Sequence, residues 1–173
     1  MACLSLRGKH NAAVSLVALL LPVLAMPLLL ALAPSGSDLP GLDPRTWPWS
    51  FLGMAVGGSV ATVAGALDWR FHRQGGRRIA PAERRAELAA LALGAPLFAL
   101  LTAASLAGDA RPWLLPTMVV AMAMTALIMF DETRFHRACG RYETALHRLL
   151  VFGNGFAFAC WFGWCSCREI ALG

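Results

Sequence analysis

The residues of this chain best suited to chemistry are three acidic–histidine pairs, Asp68/His72, Glu132/His136 and Glu143/His147. In each pair the histidine follows the acidic residue by four positions. At that spacing two helical side chains lie one above the other on one face, close enough to share a ligand. The first two pairs sit in near copies, Asp68-Trp-Arg-Phe-His72-Arg73 and Glu132-Thr-Arg-Phe-His136-Arg137, offset by 64 positions. Carboxylate plus imidazole is the ligand set for iron, manganese or zinc, and two such half-sites can hold two metals. A metal with an open coordination position can polarise a substrate or activate a water. The expected ligands are therefore Asp68, His72, Glu132, His136, Glu143 and His147, with a divalent metal as the cofactor.

The same residues have a plainer use. Helix ends at a membrane interface ordinarily carry acidic residues, arginine and histidine. Asp68 can pair with Arg70 or Arg73, and Glu143 with Arg141 or Arg148. Surface pairs of this kind contribute little. Histidine and arginine also contact lipid phosphates. Glu83 and Glu87 can serve simply to favour the start of the helix that opens at Pro81. The four-residue spacing departs from the Glu-x-x-His of soluble di-iron bundles, and the chain has no paired-histidine box of the membrane desaturase type. No P-loop, dinucleotide-binding glycine pattern, nucleophile elbow or haem-attachment motif occurs.

The five cysteines, Cys3, Cys139, Cys160, Cys165 and Cys167, include no CxxC, which excludes a zinc ribbon and a thioredoxin-type site. Cys139 lies beside the acidic–histidine residues and is a further candidate ligand. Cys160, Cys165 and Cys167 can form a disulfide or bind a soft metal in an oxidising compartment, but small apolar packing is the ordinary role for Cys160.

The elements that must position these side chains are long apolar runs. The chain has 173 residues, of which 58% are hydrophobic and 14% charged, with a mean hydropathy of +0.59. Soluble domains carry about 25% charged residues. Five runs, at about 14–33, 50–67, 88–107, 113–130 and 149–164, are each long enough to cross a bilayer. The expected fold is all-α: a polytopic integral membrane protein of five transmembrane helices, forming a single membrane domain over 1–173. The first run is read as a retained helix kinked at Pro22 and Pro27, because it is too long for a signal-peptide core and Pro34 follows the candidate cleavage site.

Within the second run Gly53, Gly57, Ala61 and Gly65 recur every four residues, a small-residue ridge that lets another helix approach closely. Asn154, inside the fifth run, is expected to find a partner across a helix interface. Met118, Met122 and Met129 are expected to fill packing gaps.

Charge sets the expected orientation. With the N-terminus inside and five crossings, twelve of the fifteen basic residues fall on the cytoplasmic side and the C-terminus lies outside. Trp47, Trp49, Trp113, Trp161 and Trp164 then mark the outer interface. The net charge of +5 belongs to this bias and to anionic lipid, not to nucleic acid. Fourteen arginines to one lysine points to a GC-rich bacterial genome, and so to the inner membrane. The second and third runs, with the first motif between them, resemble the fourth and fifth with the second motif. This predicts a parallel tandem repeat forming a four-helix bundle.

Three functions follow as expectations. The first is a small metal-dependent membrane protein acting on a membrane-soluble substrate. The second is a non-catalytic subunit or assembly factor, packing against partner helices, a second copy and anionic lipid. The third is a transporter, ranked last because no charge lies mid-helix.

Overall fold

A computed structural model of the chain describes residues 43–74, 80–135 and 139–172, with Val17 and Leu39 as isolated positions. The first apolar run, 14–33, and His136 lie outside the described residues. Among the described residues the fold is all-α and without strands. A short 3-10 turn at Pro44–Thr46 leads into four helices: α1 (Trp49–Arg73), α2 (Pro81–Leu106), α3 (Arg111–Phe135) and α4 (Arg141–Leu172). All four are long and apolar enough to cross a membrane.

Each helix runs beyond the apolar segment that marks it. The run 50–67 becomes Trp49–Arg73, and the run 149–164 becomes Arg141–Leu172. Apolar residues mark what hydrocarbon will accept, whereas a helix ends only where the backbone is interrupted. Asp, Glu and Arg are compatible with helix, so α1 continues through Asp68 and His72 to a cap at Gln74. Pro81 opens α2 at its first turn, and Glu83 Oε2 accepts from the Ala80 N–H at 3.2 Å. Gly140 precedes α4, and its carbonyl accepts the Thr144 N–H at 3.0 Å. α2 and α3 run on through Pro96 and Pro116, as membrane helices tolerate.

The helices pack in two pairs, α1 on α4 and α2 on α3. The α1–α4 contact is a glycine seam. A Cβ placed on Gly57 would lie 2.7 Å from the Gly153 carbonyl oxygen, and one on Gly153 would lie 2.8 Å from that of Gly57 and 2.9 Å from the Ala61 nitrogen. Backbone touches backbone here, which only glycine allows. A Cβ on Gly53 would meet Cys160 Sγ. Gly57, Ala61 and Gly65 are buried, so the small-residue ridge lies in the interface. Asn154 does not join it. That side chain is exposed, and its neighbour Gly153 makes the contact instead, because a side chain at the seam would hold the backbones apart.

The two helices are antiparallel, and each step along α1 is matched by a nearly equal step back along α4. Phe51 meets Trp164, Gly57 meets Ala157, Ala61 meets Gly153, Asp68 meets His147 and His72 meets Glu143. At the Phe51 end a buried cluster of Phe51, Ala104, Ala110, Trp161, Trp164 and Cys165 ties this pair to α2. Trp161 Nε1 donates to Ser105 Oγ at 3.0 Å, and Ser105 Oγ donates to the Leu101 carbonyl at 2.8 Å. Trp161 and Trp164 are therefore core residues, whereas Trp49 is exposed. Met122 and Met129 are exposed as well, so these two side chains fill no gap among the described residues, whereas Met118 is partly buried.

The glycine seam yields a stability prediction. Gly57→Leu or Gly153→Leu should destabilise the detergent-solubilised chain by about 1–3 kcal/mol through overpacking. Gly58→Ala and Gly155→Ala, where a Cβ meets nothing within 4 Å, should stay within about 1 kcal/mol of the parent. Thermal unfolding followed by circular dichroism separates the two groups.

Candidate metal centre

Four of the expected ligands come together at the end of the α1–α4 pair opposite the tryptophan cluster. Asp68 and His72 lie on the last turns of α1, and Glu143 and His147 on the first turns of α4. His72 Nε2 is 3.6 Å from Asp68 Oδ1 and 3.4 Å from Glu143 Oε1. His147 Nε2 is 3.3 Å from the same Asp68 Oδ1. One donor atom each from Asp68, His72 and His147 lies within 4.8 Å of the other two. Two ligands bonded to a single ion at 2.0–2.2 Å stand about 2.8–3.6 Å apart at octahedral to tetrahedral angles.

Asp68 Oδ1 is the pivot. The atom is shielded from solvent, and no donor reaches it with hydrogen-bonding geometry. Buried polar atoms are ordinarily satisfied. This one faces two imidazole nitrogens at distances suited to a shared cation.

Glu132, on the last turn of α3, brings Oε1 to 3.5 Å from Nδ1 of His147. The two nitrogens of His147 thus address two carboxylates, Asp68 through Nε2 and Glu132 through Nδ1. A carboxylate on the far nitrogen is the usual device for orienting a metal-ligating imidazole and fixing its tautomer. Glu143 is almost wholly buried, with 3% of its side chain exposed. Three carboxylates, Asp68, Glu132 and Glu143, thus stand around two imidazoles.

The sequence treats the three acidic–histidine pairs as equals, and the fold separates their positions. Asp68, His72 and His147 supply the converging donors, Glu143 flanks His72, and Glu132 stands behind His147. The expected arginine partners are not the ones these groups face: Arg73 instead lies over the Trp69 ring at 5.0 Å. Cys139 is partly buried and lines a separate groove on α4, whereas Cys160 is partly buried, Cys167 is exposed and Cys165 is fully buried in the tryptophan cluster. Sequence reasoning gave Glu132 no distinct task, since nothing local indicates which nitrogen of which ring a carboxylate will meet. No family model, curated protein or solved structure matches this chain.

The pairing across helices can be measured without any metal. A double-mutant cycle of His72→Ala and Glu143→Ala in equilibrium unfolding should give a coupling of roughly 0.5–3 kcal/mol, the range for contacting groups. A coupling near zero would mean that the two side chains do not meet.

Proposed function

We propose that this chain is a multi-pass protein of the bacterial inner membrane that binds a divalent metal where α1 meets α4. Asp68, His72 and His147 are the ligands, and Glu143 is a further donor beside His72. The carrying observation is the shielded Asp68 Oδ1, without a hydrogen bond and 3.3 and 3.6 Å from two imidazole nitrogens. Two imidazoles and a carboxylate suit iron, zinc or manganese, and leave coordination positions open. An ion so held, at the edge of the hydrocarbon, acts on a membrane-soluble substrate by polarising it or by activating a water.

Arginine bias places this end of the helices in the cytoplasm, with the 14–33 run as a fifth crossing, the N-terminus inside and the C-terminus outside. A tandem repeat is part of the same reading. A parallel two-fold relating α1–α2 to α3–α4 makes the α1–α4 and α3–α2 contacts equivalent, and these are the two pairs that form. Glu83 and Glu143, at corresponding points of α2 and α4, are both buried. His136 is the counterpart of His72 in this repeat.

The decisive experiment is elemental analysis of the chain purified in detergent without a metal-binding tag, beside Asp68→Ala/His72→Ala/His147→Ala. Stoichiometric iron, manganese or zinc in the parent, lost from the folded triple variant, is the expected result. A folded parent that stays metal-free after anaerobic reconstitution overturns the reading. Glu132→Gln should keep the metal but weaken its affinity by about 10–100-fold, read by chelator competition, because the carboxylate positions His147 rather than ligating.

A second reading, a membrane subunit without its own chemistry, is favoured by the outward methionine face at Met122 and Met129. It predicts a metal-free chain that co-purifies with partner subunits.

A further inference from the structure

Away from the metal cluster, α4 carries a shallow groove of about 580 Å³ lined by Cys139, Arg141, Thr144, Ala145, Arg148 and Leu149. Leu149 also lines a second groove, of about 300 Å³, between α4 and α1. That second groove presents no polar surface and runs past Leu146, Leu67, Val63 and Val60. Leu149 lines both, so the basic groove and the apolar one lie side by side on α4.

The basic groove has unused polar capacity. Arg141 and Arg148 are exposed and, among the described residues, make no ion pair or hydrogen bond. They lie seven residues apart, about 10 Å along the helix. Thr144 lies between them. Its hydroxyl is not donated to its own helix, unlike those of Thr117, Thr125 and Thr133, which each donate to the carbonyl four residues back. Two guanidiniums and a hydroxyl form a donor set for a phosphate.

The apolar groove has the dimensions of a lipid tail. From Leu67 to Ser59 it follows α1 for eight residues, about 12 Å. One leaflet contributes roughly 15 Å of hydrocarbon. Val60, Val63, Leu67 and Leu149 are all exposed along it, with nothing of the described chain covering them. A soluble anion would satisfy the basic groove and leave the apolar one unused, whereas a phospholipid fills both.

We propose that the Arg141–Arg148 groove and the apolar groove beside it form a binding site for one anionic phospholipid, its phosphate on Arg141, Thr144 and Arg148 and an acyl chain along Leu67, Val63 and Val60. This site uses none of the metal-cluster residues and stands whether or not the chain holds a metal.

Native mass spectrometry of the full chain in detergent, titrated with phosphatidylglycerol or phosphatidylcholine, tests it. The parent should retain phosphatidylglycerol in preference. Arg141→Gln/Arg148→Gln should weaken that retention by roughly thirtyfold, the effect of two arginines facing an anionic head group. Arg70→Gln/Arg134→Gln, which removes two exposed arginines outside the groove, should change it by less than about threefold. Val63→Trp should reduce retention of both lipids by obstructing the apolar groove. Equal retention of the two lipids by the parent, equal losses in the two arginine variants, or displacement of phosphatidylglycerol by millimolar inorganic phosphate would each overturn the proposal. Circular dichroism of every variant establishes that the helices persist. If Val63→Trp does not fold, Val63→Phe replaces it.

Discussion

The close approach of Gly57 and Gly153 governs the rest of this molecule. Lipid tails are as apolar as leucine, so helices in a bilayer gain little from hiding apolar side chains against each other. Contact of backbone with backbone supplies the missing attraction through dispersion, and it requires that no Cβ intervene. At the seam any Cβ would fall within 3 Å of the facing main chain. Two rigid helices held at one such point, in one antiparallel register, have their remaining side-chain pairings decided for them.

Those pairings separate the α1–α4 interface into three zones. At one end Phe51, Trp161, Trp164 and Cys165 form an aromatic core closed by Ala104 and Ala110. In the middle lies the glycine seam. At the other end Asp68, His72, Glu143 and His147 converge. The order follows from element length as well as register. Because α1 and α4 remain helical beyond their apolar segments, the ionisable residues are carried on stiff rods rather than on loops. A donor set placed on helices is held more precisely than one placed on loops.

The cluster brings three carboxylates, Asp68, Glu132 and Glu143, to two imidazoles, His72 and His147. The basic groove of α4 faces away from this cluster, so the first turns of one helix present an acidic centre on one face and two arginines on another. A helix starting at the membrane boundary can divide its polar residues in this way because residues three and four apart share a face while their neighbours do not.

What the sequence alone determines here is local. Apolar runs of 16 to 20 residues point to helices, with candidate spans at 50–67, 88–107, 113–130 and 149–164. Four-residue spacing establishes that Asp68 and His72 share a face, that Glu143 and His147 share another, and that Gly53, Gly57, Ala61 and Gly65 form a ridge. Which ridge meets which helix is not a local property. The spans are nearly uniform in hydrophobicity around their circumference, and so carry little sign of a preferred partner. Tertiary structure decided that α1 pairs with α4, and with it that His147 rather than an arginine faces Asp68, that Glu132 stands behind His147, and that Trp161 and Trp164 are buried. It also placed Asn154 on the outside and gave its expected position to Gly153, since two backbones in contact leave no room for a side chain between them.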